Sequence, residues 1–187
     1  MTTIRTKIRQ LLNDNSTNVK DIFTYGSSTI FTLTDSNVIT ITSVLRNDVE
    51  LSSSEYSFDS TNSKLTINIS LTSGDTIEIN YTCYLNYSDT ELTNYIQSAL
   101  VHLSINGYED FEYDSTDDAI YPTPTNKEEN LIALVTSIII DPNNNTIRLP
   151  DITITVPIQL PTNKLISKTI GLFKRSESVS GVFEILA

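Results

Sequence analysis

The spacing of the apolar residues changes twice along the chain, and this change constrains the fold more than any other feature. Near the start, Ile4, Ile8, Leu11 and Leu12 have the spacing of one helix face. Between residues 21 and 84, apolar and polar residues alternate instead, which is typical of strands with one buried face. Helical spacing returns from residue 88. These patterns predict an α+β protein whose core is a bundle of about four helices carrying an inserted antiparallel β module.

Two capping boxes mark helix starts in the second half of the chain. Ser88 pairs with Glu91, and Thr125 pairs with Glu128. The first helix is expected to close at Asn106-Gly107, where the residues tolerate a left-handed backbone. The second helix is apolar on most sides and is expected to be central and buried. A last helix is predicted from about residue 162 to residue 175.

The same patterns divide the chain into three predicted parts. Residues 1–20 and 85–175 form the helical core, residues 21–84 form the β module, and residues 176–187 form an extended C-terminal arm. In the arm, Val179, Gly181, Phe183 and Ile185 alternate with other residues, as in a strand. An unpartnered strand is an aggregation hazard, so its partner is expected on another chain.

Composition excludes several classes of protein. Asp and Glu number 23 against 12 Lys and Arg, giving a net charge of −11, which argues against a protein held to nucleic acid by phosphate contacts. One cysteine, Cys83, and one histidine, His102, leave no disulfide framework and nearly exclude a zinc site of His and Cys. No apolar run approaches the length of a membrane span, so no membrane is expected as a partner.

No catalytic or cofactor-binding pattern is recognisable. His102 falls in the middle of a helix, and no serine has a nucleophile signature around it. The acidic residues 109–118 lack the alternation and internal glycine of a calcium-binding loop, so a solvated acidic loop is favoured over a metal site. Cys83 lies in the inward register of its strand and is expected to be a buried thiol. We therefore expect a protein that is not an enzyme and has no cofactor and no metal.

The last predicted helix has a basic face. Lys164, Lys168 and Arg175 follow the i, i+4, i+11 spacing, opposite its apolar stripe. One interpretation is a solvated helix face. The other is a strip that forms ion pairs with an acidic partner or with a neighbouring copy of this acidic chain. Together with the arm, the second interpretation defines a candidate partner interface, which consists of Lys164, Lys168, Arg175, Val179, Phe183 and Ile185.

The order of elements resembles that of the head–tail connector (adaptor) proteins of tailed bacteriophages. Three stretches carry the likeness. Residues 87–100, which begin Tyr-Ser-Asp-Thr-Glu-Leu, look like the opening helix of that family, residues 146–154 look like its β arm, and residues 175–183 look like its tail with serine and glutamate. The β module resembles one that recurs in phage structural proteins, with Asn47-Asp48 in place of the usual Asn-Gly turn. The acidic insertion 109–124 departs from the pattern.

The resemblance implies a structural virion protein that forms a ring, of twelve subunits, between the portal protein and the tail or neck proteins. It implies a location in the neck of the virion after synthesis in the host cytoplasm, with DNA passing through without specific binding. A net charge of −11 per subunit fits a channel that repels phosphate. Two alternatives stay open: a β module that binds surfaces or carbohydrate on a virion fibre or secreted assembly, with Tyr25, Tyr56, Tyr84 and Tyr87 as its candidate aromatics, and a small hydrolase.

Overall fold

A computed structural model describes residues 1–142, 146–149, 152–155 and 161–185, with side chains for residues 1–142 and 161–174. The chain divides into two compact units. Asp14–Ser88 form one, here called the strand unit. Met1–Asn13 together with Asp89–Ala187 form the other, here called the helical unit.

The described residues form four helices and eleven strands, and every strand pairing is antiparallel. The helices are α1 (Thr2–Leu12), α2 (Asp89–Ile105), α3 (Asn126–Ile140) and α4 (Thr162–Ile185). The strands are β1 (Ser16–Thr24), β2 (Ile30–Thr32), β3 (Val38–Arg46), β4 (Val49–Glu50), β5 (Tyr56–Asp59), β6 (Lys64–Ile67), β7 (Thr76–Tyr84), β8 (Glu112–Asp114), β9 (Ala119–Tyr121), β10 (Thr146–Leu149) and β11 (Ile152–Thr155). Within the described ranges, no helix is both long and apolar enough to cross a bilayer.

The prediction of a helical-bundle core is wrong, because the fold is a mixed α+β structure with a core rich in sheet. The strand unit builds its own hydrophobic core from two sheets, and the helical unit also holds the hairpins β8–β9 and β10–β11. The extended C-terminal arm is wrong as well. Residues 176–185 continue α4, which begins at Thr162. No proline interrupts this stretch, and its two interior glycines, Gly171 and Gly181, weaken the helix without ending it.

Strand β7 is the centre of the larger sheet, whose order is β1-β7-β3-β4. Its pairing with β1 runs from Ser16 opposite Tyr84 to Thr24 opposite Thr76, and β3 pairs with its other edge. Strict alternation along β7 turns four side chains inward, and each is at most 1% exposed. They are Ile77, Ile79, Tyr81 and Cys83. The predicted inward register and the buried thiol of Cys83 are confirmed.

The smaller sheet, of order β2-β6-β5, shares one core with the larger sheet. Phe31 of β2 and Leu65 and Ile67 of β6 belong to the same buried cluster as the inward residues of β7. The rings of Phe23 and Phe31 lie 5.2 Å apart, centroid to centroid. Side chains from two facing sheets therefore fill the interior, as in layered β structures.

Asp75 fixes the turns at one end of the strand unit. Its carboxylate accepts hydrogen bonds from the Arg46 Nε (2.8 Å), the Asn47 Nδ2 (2.7 Å) and the backbone N–H of Thr72 (2.7 Å). Asn47 and Asp48 form the two-residue turn between β3 and β4, and both have positive φ, 48° and 66°. This geometry matches the twist of a hairpin, and Asn and Asp tolerate it better than most residues do.

Helix α3 lies at the centre of the helical unit. Its eight residues from Leu131 to Ile138 are all buried, and α1, α2 and α4 pack against it. The predicted capping box is confirmed: the Thr125 hydroxyl accepts from the Glu128 N–H, and the Glu128 carboxylate accepts from the Thr125 N–H. The helix is thus capped at its start and covered from Leu131 to Ile138, as its apolar pattern predicts.

Helix α2 ends as its sequence predicts, after Ile105. Gly107 has a φ of 66°, and its N–H donates to the Ser104 carbonyl, while the Tyr108 N–H donates to the Leu103 carbonyl. This is the helix-ending arrangement that glycine favours, because a left-handed backbone costs it nothing. The chain consequently reverses there and returns along α2.

Neighbouring residues of α2 give a matched test of this packing. Leu100 is 3% exposed and Val101 is 58% exposed. Leu100→Ala removes buried apolar contacts, so we expect it to lower the free energy of unfolding by about 2–5 kcal/mol. Val101→Ala should change it by less than about 0.5 kcal/mol. Urea unfolding followed by the helical circular dichroism signal reports on this unit, and equal effects of the two variants would contradict the packing.

A second test concerns Asp75. The Thr72 N–H, then the Asn47 amide and the Arg46 guanidinium, hold the pKa of Asp75 below its usual value of 3.8. Because the folded pKa is lowered, the ionised group contributes its full stabilisation above the pKa of the unfolded chain, and this stabilisation is lost as the pH falls through the folded pKa. We expect Asp75→Asn to lower the urea midpoint at neutral pH, and the difference from wild type to shrink below about pH 4.

The near-ultraviolet circular dichroism of tyrosine is the signal for this test, because five of the nine tyrosines lie in residues 14–88. Asp48→Asn is the control, since Asp48 is exposed and asparagine tolerates its positive φ. A midpoint that falls equally in both variants, or a difference that does not depend on pH, would contradict the role of Asp75.

Candidate interaction surface

A surface cleft of about 480 Å³ lies between α2 and the segment that follows it. We call it the α2 cleft. Its lining residues are Gln97, Leu100, Val101, Ser104, Ile105, Asp110, Phe111, Glu112 and Tyr113. The chain reversal at Gly107 produces the cleft, because it brings residues 110–113 back beside residues 97–105 of α2.

The floor of the α2 cleft is apolar and its rim is acidic. Leu100 and Phe111 are buried beneath it, whereas Val101 and Ile105 are 58% and 75% exposed. Asp110 and Glu112 are exposed on either side of Phe111. Helix α2 therefore has two apolar faces: one is covered by the rest of the helical unit, and the other is open to solvent.

The acidic residues 109–118, expected to form a solvated loop, instead contain β8 and the turn into β9. The Arg5 guanidinium holds this hairpin through two hydrogen bonds, from Nη1 to Asp118 Oδ2 (2.8 Å) and from Nη2 to Asp118 Oδ1 (2.7 Å). Arg5 also donates to the Thr93 hydroxyl of α2 (2.7 Å). The hydrogen bonds from Arg5 keep the pKa of Asp118 below its usual value, so the carboxylate stays ionised.

No metal-binding arrangement is visible in the described part of the chain, where no three His, Cys, Asp or Glu side chains lie together as ligands. His102 is half-buried on α2, and its backbone carbonyl accepts a hydrogen bond from the Asn106 amide (2.8 Å). Among the residues that the structure describes, neither the acidic hairpin nor His102 therefore assembles with other potential metal ligands.

Helix α4 carries a row of exposed side chains at i, i+4 and i+8. They are Lys164, Lys168 and Leu172, which we call the α4 stripe. Leu165, Ile166, Thr169 and Ile170 are buried on the opposite side, as the spacing predicts. Lys174 has a different role: its Nζ donates to the backbone carbonyls of Asn106 (3.0 Å) and Gly107 (2.7 Å) at the end of α2.

The remaining residues of the predicted interface lie in α4 too. Arg175, Val179, Phe183 and Ile185 are helical, and their side chains lie outside the described part. Sequence reasoning assigned Val179, Phe183 and Ile185 to an extended strand, and this assignment is wrong. Val179 and Phe183 are four residues apart, which is also the spacing of one helix face, so alternation alone did not distinguish the two structures.

The tyrosines proposed for a carbohydrate-binding surface do not form an exposed platform. Tyr25 and Tyr56 are partly buried and pack against the core of the strand unit. Tyr84 and Tyr87 are half-buried as well. Stacking on a sugar requires an exposed aromatic face, so these side chains offer little surface for it.

A polar cluster inside the strand unit was not found by sequence reasoning. The Tyr81 hydroxyl lies 3.1 Å from Asp21 Oδ2 and 3.0 Å from Asp35 Oδ2. Burial, and then the two carboxylates, raise the pKa of the Tyr81 phenol, and burial followed by Asp35 raises that of the Cys83 thiol. Both groups consequently stay neutral and poorly nucleophilic at neutral pH. Spacing in the sequence gives no sign of the cluster, because Asp21 lies in β1, Asp35 lies between β2 and β3, and Tyr81 lies in β7.

The Arg5–Asp118 pair can be tested by itself. Asp118 has a positive φ of 54°, which asparagine tolerates, so Asp118→Asn removes the charge with little change in backbone preference. We expect the free energy of unfolding to fall by about 1 kcal/mol, a modest value because Asp118 is partly exposed. Asp114→Asn is the control, since an amide oxygen can still accept from the Thr116 N–H. The helical circular dichroism signal in urea measures both, and equal stability of the two variants would contradict the role of the pair.

Comparison with known proteins adds no family to this description. No protein-family model matches the chain, and no curated protein sequence matches it.

Proposed function

We propose that the chain is a structural virion protein, a subunit of the connector ring that joins the portal of a tailed bacteriophage to its tail. The partners are the portal protein, tail or neck proteins and further copies of the chain, and the location is the neck of the virion. The resemblance of residues 87–100 and 146–154 to connector proteins is the starting point. The expected helical-bundle core and extended tail, which are wrong, contribute nothing to the proposal.

The exposed apolar row on α2 carries the proposal. Val101 and Ile105 lie one helical turn apart and are more than half exposed. They belong to a cleft whose other apolar residues, Leu100 and Phe111, are already buried. Contiguous apolar surface with a polar rim is typical of protein–protein interfaces. A ring subunit is permanently in contact with neighbouring subunits, and such a surface would be buried in those contacts.

Charge also supports a ring around DNA. The chain has a net charge of −11, and among residues 162–175 four of the twelve Lys and Arg occur without any Asp or Glu. An acidic channel repels phosphate and lets DNA slide without being held. A locally basic helix on an acidic subunit suits contact with another copy. Closed rings form from such unlike, head-to-tail surfaces when the rotation closes.

Electron microscopy of the purified chain, alone and mixed with the portal protein of the same virus, tests this proposal. We expect rings stacked on the portal. Ile105→Asp places a charge in the exposed apolar row and should abolish the rings while the helical circular dichroism stays unchanged. Val49→Asp is the matched control, since Val49 is 68% exposed but lies in the strand unit.

The outcome that contradicts the proposal is a wild-type chain that remains monomeric beside its portal. Specific binding to a glycan array by such a monomer would favour the carbohydrate-binding alternative. Rings that form equally well with Ile105→Asp would show that the apolar row does not cause ring formation.

A further inference from the structure

In a single copy, the α2 cleft leaves apolar side chains exposed to solvent beside acidic ones. Its exposed apolar residues, Val101 and Ile105, favour burial, and its rim residues, Asp110 and Glu112, favour a cationic partner. Within the described residues, neither rim carboxylate takes part in an ion pair. An occupant that satisfies the cleft must therefore present apolar and basic groups together.

The α4 stripe presents this combination. Lys164 and Lys168 are exposed, and no ion pair to either is present in the described part of the chain. Leu172, one turn further along the helix, is 45% exposed. Lys174 is already committed within the subunit, because its Nζ binds the end of α2. The stripe is thus a basic row that ends in an apolar side chain.

The two surfaces also match in length. The cleft follows α2 from Gln97 to Ile105, and the stripe runs from Lys164 to Leu172. Both intervals are eight residues, which is about 12 Å along a helix axis. Laying one helix face into an apolar groove is a common mode of recognition, with anchors one turn apart.

We propose that the α4 stripe of one copy docks into the α2 cleft of a second copy. Leu172 packs against Val101 and Ile105, and Lys164 and Lys168 face Asp110 and Glu112. Each copy donates one stripe and receives one, so the contact is head-to-tail and can repeat around a ring. This inference rests on the proposed connector function, for which it names the contact between subunits.

Disulfide trapping between two differently substituted chains tests this contact. A Val101→Cys chain is mixed with a Leu172→Cys chain under mild oxidation. A disulfide needs Cα atoms within about 7 Å, so it reports close approach of these two positions. We expect a mixed dimer, whereas wild type should give none, because the native Cys83 is buried. Replacing the first chain by Val49→Cys, an exposed position in the strand unit, should give at least about tenfold less product.

Charge reversal then tests the specificity of the pairing. Lys164→Glu with Lys168→Glu, added to the Leu172→Cys chain, should lower the yield at least about tenfold, since like charges then face each other. Adding Asp110→Lys and Glu112→Lys to the Val101→Cys chain should restore it. In chains whose circular dichroism matches that of wild type, trapping no better than with Val49→Cys, or a yield that charge reversal does not change, overturns the contact.

The two proposals fail on different readouts. Rings that persist with Lys164→Glu and Lys168→Glu would overturn this contact and leave the connector proposal standing. A mixed dimer that forms and responds to charge, from a chain that makes no ring with the portal, would support the contact and overturn the connector function.

Discussion

The burial of α3 on every side from Leu131 to Ile138 is the constraint on which the helical unit depends. Eight consecutive residues, from Leu131 to Ile138, have no exposed face, so neighbouring elements must cover the helix on all sides. Even its polar members are satisfied internally, since the Thr136 hydroxyl donates to the Ile132 carbonyl (2.7 Å) and the Ser137 hydroxyl to the Leu134 carbonyl (2.8 Å). The cover comes from α1, α2 and α4, which are far apart in the sequence. The helical unit therefore forms only when the first and last helices of the described chain have both come together on α3.

The strand unit also buries a hydrophobic core, but it does so between the inward faces of its sheets and not around a central helix. Sequence reasoning succeeded where the pattern behind this burial is local. Alternation, turns and caps are local signals, so β7, the turn at Asn47-Asp48, the Thr125 box and the Gly107 end of α2 could all be predicted. Strand β1 begins in a polar stretch and is at most half-buried, so its first residues gave no apolar signal. Whether sheet or helix contributes more to the core depends on which faces of the elements are buried against each other. Alternation in the sequence alone does not show this. For this reason a fold with a core rich in sheet was predicted as a helical bundle that carries an inserted β module.

The candidate surface was predictable only in part. Lys164 and Lys168 follow from spacing, because a basic face opposite an apolar stripe is visible in the sequence. The α2 cleft does not, since it exists only after the chain reverses at Gly107 and Arg5, from the opposite end of the sequence, pins Asp118 of the hairpin. Leu172 was not part of the predicted interface, because an amphipathic pattern does not show which apolar residues near the boundary stay exposed. The α2 cleft therefore depends on contacts between distant parts of the chain, and such contacts cannot be seen in the sequence.

The bond from Lys174 to the end of α2 has a mechanical consequence. Its ammonium joins the helix that carries the α4 stripe to the carbonyls of Asn106 and Gly107, which lie where the α2 cleft closes. A translation or rotation of α4 must stretch these two hydrogen bonds or pull the end of α2 with it. A displacement of α4 at one surface would therefore reach the other surface through these two hydrogen bonds as well as through α3, against which both helices pack. In an assembly of repeated copies, these hydrogen bonds would make the geometry of each contact between copies depend on the geometry of the contact before it.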